Sequence, residues 1–173
     1  MKLETGDILL VDTEGFIPSN IDTFQGNDYN HAGFIVNIFG ISYVFEAIKS
    51  GMAFTNFDDY LKRTEKEDVN LLILRPRIGF NVEEKKLMNF ILPLTQKPYG
   101  YTNLIIYQAI KYITRKLGKE IWMGKSKAKS TKKFICGKLV AYIYNYFTGM
   151  FPEWYKAAPV DLYNSKDFKH IKI

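Results

Sequence analysis

A single cysteine and only two histidines occur in the 173 residues. One thiol cannot close an internal disulfide, so nothing calls for an oxidising compartment, and a cysteine-rich structural zinc site is excluded by count. No window holds the roughly 18 consecutive apolar residues that a membrane span needs, and Met1 to Asp7 offers no apolar signal core. The expectation is a cytoplasmic chain without a transmembrane segment; an exported chain already stripped of its leader would read the same. Internal repeats and long linkers are absent as well. That leaves one continuous domain over residues 1–173, long enough for a substantial core and too short for two ordinary domains.

What is present is globular material, 47% hydrophobic, 16% aromatic and 24% charged, away from the disordered and collagen-like classes. A formal charge of +6 makes a mildly attractive field for acidic peptides, phospholipid headgroups or nucleic acid without choosing among them. The five lysines between Lys125 and Lys133 read as a solvated loop able to steer anionic substrates. No aromatic residue interleaves that run, so a nucleic-acid partner is not expected.

Along the chain, Gly6-Asp7 precede the apolar run Ile8-Leu9-Leu10-Val11, a buried strand closed by Asp12-Thr13-Glu14-Gly15. Residues from Pro18 to Phe24 fit a short helix capped by Ser19 or Asn20, and the turn formers Gly26 to Asn30 deliver His31. His31 to Val36 and Ile41 to Phe45 make a hairpin around Asn37 to Gly40. A four-residue loop there sets Val36 against Ile41 and His31 against Glu46, within roughly 5 Å. A slip of one residue would break that pairing. Asn56 caps a short helix from Phe57 to Leu61, and Val69 to Leu74 is a further strand ended by Arg75-Pro76. Glu83-Glu84 open a helix with Leu87, Met88, Ile91 and Leu94 at helical spacing, kinked or stopped at Pro93. Leu104 to Leu117 repeats that spacing and closes at Gly118, and both helices pack on the sheet. A last helical run goes from Phe134 through Phe147 to Gly149, which puts Cys136 in a first turn.

A thiol at a helix N-terminus meets unpaired amides and the positive end of the helix dipole, and both favour the thiolate. Gly137 beside it leaves room for a substrate, and the N–H of Cys136 or its neighbour can donate to an oxyanion. His31 supplies a base whose ordinary pKa of about 6.5 suits exchange with a thiol. Glu46 would hold the imidazole tautomer, completing a Cys-His-Glu series. Each residue also has a plain structural reading. A lone cysteine on an amphipathic helix is more often packing, and a lone histidine at a turn is more often a satisfied polar group. A carboxylate within Tyr43-Val44-Phe45-Glu46-Ala47 either meets solvent or needs a partner. His170 sits in a polar C-terminal stretch, which leaves His31 as the base. The Tyr99-Gly100-Tyr101 turn can offer a hydroxyl near the site, although aromatic turn residues usually pack.

In order, Gly6-Asp7-Ile8-Leu9-Leu10, Asn30-His31-Ala32-Gly33, Val44-Phe45-Glu46-Ala47, Lys97-Pro98-Tyr99 and Phe134-Ile135-Cys136-Gly137-Lys138-Leu139-Val140 resemble the permuted papain-like cysteine peptidases, the YiiX-like branch of the NlpC superfamily. The resemblance spans nearly the whole chain. It implies an α+β fold of circularly permuted papain-like type, a small antiparallel sheet or partial barrel packed against helices. It also implies a triad on Cys136, His31 and Glu46, with the histidine strand ahead of the cysteine helix. Gly137-Lys138 departs from the small polar and then acidic residues common in relatives after the cysteine, which bears on what the pocket accepts.

The expected function is therefore a cysteine hydrolase that cleaves an amide or ester through an acyl-thioenzyme, acting on cell-wall-type peptides, with Tyr99 and Gly137 near the substrate and no cofactor. The alternatives are a lipid-directed acyltransferase or esterase of the same superfamily and a non-catalytic domain that binds an anionic partner. A third is an open three-ligand zinc site on the same three residues. The substrate is thus a peptide or lipid-like acyl compound, and oligomeric state stays open.

Overall fold

The computed structural model describes residues 1–12, 29–65, 69–100 and 129–173. The helices expected over 18–24 and 104–117, Tyr101 and the start of the lysine run lie outside them. Among the described residues, six strands form one antiparallel sheet: β1 (Ile8–Val11), β2 (His31–Ile38), β3 (Ile41–Ile48), β4 (Gly51–Asn56), β5 (Leu71–Pro76) and β6 (Phe168–Lys172). Their order across the sheet is β4-β3-β2-β1-β5-β6.

Side chains alternate across a strand, so each strand feeds two faces. Ile8, Leu10, Ala32, Phe34, Val36, Phe45 and Ala47 point into the larger core. There they meet α3 (Cys136–Thr148), through Leu139, Val140, Ile143 and Tyr144, and α2 (Glu84–Ile91), through Leu87 and Ile91. Leu9, Val11, Ile35, Val44 and Ile73 form a smaller cluster on the other face, covered by Phe57 and Tyr60 of α1 (Phe57–Thr64). The Asn56 side chain caps α1 by accepting from the amides of Asp58 and Asp59, as its position before an amphipathic run dictates. Pro93 turns the end of α2 into a 3-10 stretch, Leu92–Gln96. No helix among the described residues is long and apolar enough to cross a membrane.

The hairpin corrects the expected register. Its loop is two residues, Phe39 and Gly40, so Val36 pairs with Tyr43 and Gly33 pairs with Glu46. The displacement is two residues, and an even shift leaves every side chain on its expected face. His31 thus lies diagonal to Glu46 rather than directly opposite it. The strand β4 and the strand β6 go beyond the sequence reading, which left Gly51–Thr55 unassigned and took His170 as part of a polar tail.

The Gly6-Asp7 pair serves this framework. The fully buried Asp7 carboxylate accepts two hydrogen bonds from Arg75, at 2.9 and 2.7 Å, a planar fork on a carboxylate. Gly6 has φ +96, and a Cβ there would run into Phe80. Its carbonyl accepts from the Tyr144 hydroxyl of α3, tying the sheet to the helix that carries Cys136.

Candidate active site

His31 opens β2 and pairs with Val11, the last residue of β1, so it stands at one end of the sheet. It shares the α1 face with Gly33 and Ile35, by alternation. Glu46 reaches the same face from β3, and its Oε2 lies 2.7 Å from His31 Nε2. Gly33 makes this diagonal approach possible: a Cβ there would come within 2.4 Å of Val44 Cγ1 and 3.6 Å of Glu46 Cβ. The other carboxylate oxygen, Oε1, accepts from the Thr55 hydroxyl at 2.9 Å. Glu46 is 1% exposed, and both of its oxygens are thereby satisfied.

Cys136 is the first residue of α3, where amides have no intrahelical acceptor. It arrives from the helix on the opposite face of the sheet, so the site forms where the two faces meet at the strand end. Its Sγ lies 3.9 Å from the carbonyl oxygen of Asn30 and within the electrostatic reach of the His31 imidazole. Cys136, His31 and Glu46 are each 4% exposed or less as whole residues.

Burial works against a charged imidazole here. The hydrogen bonds to Cys136 and Glu46, with the charges of both, outweigh it, and the His31 pKa rises from 6.5 to about 10. Burial likewise pushes the Cys136 thiol up, yet the His31 hydrogen bond and charge, with the amides of Gly137 and Ala32, bring it below its ordinary 9.0. The two shifts share one cause, the mutual attraction of the thiolate and imidazolium forms. Tyr60 of α1 lies within the electrostatic reach of Glu46 and Cys136. Burial first, and then the Glu46 charge, keep it a neutral phenol.

Gly137 differs from the expectation that it leaves room for substrate. A Cβ there would meet the Ala158 backbone at 2.8 Å and the Ala157 carbonyl at 3.0 Å. The glycine lets the 157–158 backbone approach α3, and its amide is what it offers the sulfur. Tyr99 is half-buried against the larger core and bridges in parallel to Phe134, two residues before Cys136. The next residue after Gly137 is Lys138, a buried lysine. Its Nζ donates to the Ser130 carbonyl at 2.6 Å and lies 5.5 and 5.2 Å from the Phe134 and Trp154 rings. Burial draws its pKa down to about 8. It clamps the segment that leads into α3.

Thr55, the Ala32 amide and Tyr60 are the site groups that sequence reasoning missed. Thr55 carried a signal, a β-branched residue just before a helix cap. His170, the other histidine, is on β6 and exposed, with Nε2 3.0 Å from the Tyr163 carbonyl.

No family model matches the chain, and no curated protein matches it. Among solved structures, the crystal structure of metalloprotein YiiX from Escherichia coli O157:H7 is similar, with a TM-score of 0.70 and 19% identity over 98% of this chain and 97% of that one. The fold is thus YiiX-like, an α+β arrangement of an antiparallel sheet and helices. Among the described residues, no group of three or more His, Cys, Asp and Glu side chains is arranged to hold an ion. Cys136, His31 and Glu46 are not such a group, so the expected three-ligand zinc site is not found among the described residues.

Proposed function

We propose that this chain is a cysteine hydrolase of permuted papain-like design, cleaving an amide or ester through an acyl-thioenzyme. The observation that carries the reading is the buried 2.7 Å His31–Glu46 contact, with a buried thiol at a helix start in electrostatic reach of the imidazole. Cys136 Sγ attacks the substrate carbonyl and forms a C–S bond, while the oxygen takes up negative charge near the first-turn amides. As the C–N or C–O bond breaks, His31 gives its proton to the leaving group. Water then attacks the thioester, losing a proton to His31, and the acid departs with the thiolate restored. Glu46, fixed by Thr55, holds the imidazole in orientation and stabilises its charged form.

Peptides of cell-wall type are the leading substrates. Lipid-like acyl substrates and anionic partners are favoured by one observation. The Tyr99–Phe134 bridge runs the Lys97 segment alongside Lys132 and Lys133, just ahead of the nucleophile.

The test is alkylation by a small thiol-directed reagent, followed by turnover of a panel of peptide amides and esters. Wild-type protein should label at Cys136 and turn over a panel member. Equal labelling rates in wild type and His31→Ala would refute activation. Partner binding that survives Cys136→Ala with no turnover would favour the non-catalytic reading.

A further inference from the structure

At the end of the sheet away from Cys136, two loops hold large apolar side chains in water. Phe39 is 94% exposed and Ile78 is 96% exposed, with Ile41 half-exposed beside them. The strands β2 and β5 both flank β1, and Phe34 and Leu74 both pair with Ile8. They therefore leave the sheet in the same direction, roughly 10 Å apart by two strand spacings. Ile78 stands on the Pro76–Gly79 turn, closed by a 3.2 Å hydrogen bond.

Phe39 is costly twice over. It sits at φ +49 beside Gly40 at +82, the two-residue turn in which asparagine or glycine is the ordinary first residue. A bulky residue in this left-handed region is strained. Folding gains nothing from placing a phenylalanine there and then leaving it in solvent. Exposed cations stand on the β5–β6 side of this end, by Ile78: Lys2, Arg77, Lys166 and Lys169. Of the acids at this end, Glu4 and Asp7 are both held by Arg75, Asp167 accepts from Ser165, and the exposed Asp58, Asp59, Glu83 and Glu84 stand at the starts of α1 and α2.

We propose that this end of the molecule docks on an anionic lipid surface, with Phe39 and Ile78 entering the acyl boundary and the cations by Ile78 at the headgroups. Two separated convex tips offer far less than the roughly 800 Å² per partner of a stable protein interface. A lipid surface asks for no shape complementarity, only apolar depth and positive charge. The docked orientation holds Cys136 roughly 25 Å away along β2, facing material above the bilayer rather than the bilayer itself. This inference does not depend on the catalytic reading.

Sedimentation with phosphatidylcholine vesicles, with and without phosphatidylglycerol, tests it. Wild type should partition onto the anionic vesicles and be released by salt. Phe39→Asn and Ile78→Ser should each weaken partitioning about tenfold or more. Phe39→Asn relieves the turn, so its melting temperature should not fall, and Cys136 labelling should keep its wild-type rate. Wild type that ignores anionic vesicles would overturn the proposal, as would a double variant that binds them equally well. A concentration-dependent dimer dissolved by Phe39→Asn, without vesicle binding, would overturn it too and assign the tips to a second copy.

Discussion

The two ends of the sheet break the same rule in opposite directions. At the His31 end, an imidazole, a thiol and a carboxylate are withdrawn from water. At the Phe39 end, a phenylalanine and an isoleucine are left in it. Burying a charge is expensive unless it is paired and hydrogen-bonded, and here every polar atom of Glu46 has a partner. Exposing a strained aromatic has no such compensation inside the molecule. Departures from the folding optimum concentrate where a protein does something, and the contrast separates two kinds. The buried end is complete within the chain, whereas the exposed end is completed by a surface outside it.

The largest expected effects break the buried end. Cys136→Ala should abolish alkylation and turnover, read by mass spectrometry of the labelled protein. His31→Ala should slow labelling by about 10²–10⁴-fold near neutral pH. The pH profile makes the sign specific. In wild type the His31 charge favours the thiolate, so labelling should rise along an acid limb below 9.0. Without His31 the burial that opposes the thiolate remains, so the limb should move above 9.0. Hydrolysis needs the imidazolium as a proton donor, and in wild type it should fall again as pH passes about 10. An unmoved acid limb in His31→Ala would show that the imidazole does not hold the thiolate.

The sequence made the buried end easier to read than the exposed one, and the reason is physical. The strand Ile8–Val11 and the helix start at Cys136 follow from apolar runs with clear ends, a pattern that packing rarely overrides. The partnership of His31 and Glu46 was legible although its register was not. Asn37 to Gly40 read together as turn material, so a four-residue loop was expected, and the hairpin tightened by two residues. Pleat periodicity absorbed that error. The strand β4 was not legible because glycine, methionine and alanine dilute its β-branched signal. Strand β6 was missed because three of its five residues, Lys169, His170 and Lys172, point to water. The loss of β4 hid Thr55 and with it the support of Glu46.

A smaller effect sharpens the claim that the buried end is self-contained. Thr55→Val removes the donor to Glu46 Oε1 and leaves a buried carboxylate oxygen unpaired, at a cost of about 1.5 kcal/mol. The orientation of His31 should loosen, and labelling at neutral pH should slow by about tenfold. Thr55→Ser keeps the hydroxyl and should recover most of the rate. If Thr55→Val melts lower but labels at the wild-type rate, Thr55 only packs.

The smallest effect belongs to the exposed end, and its sign carries the information. In a turn whose only task is to reverse the chain, replacing a phenylalanine at φ +49 with asparagine should help, because asparagine tolerates the left-handed region and its burial changes nothing. The gain should be about 1 kcal/mol, visible as a higher midpoint in urea with an unchanged slope. A loss of stability instead would mean that Phe39 makes an intramolecular contact that matters, and the contrast between the two ends would fail. A gain means that the native residue is kept against the interest of the fold, which is what a group reserved for something outside the chain requires.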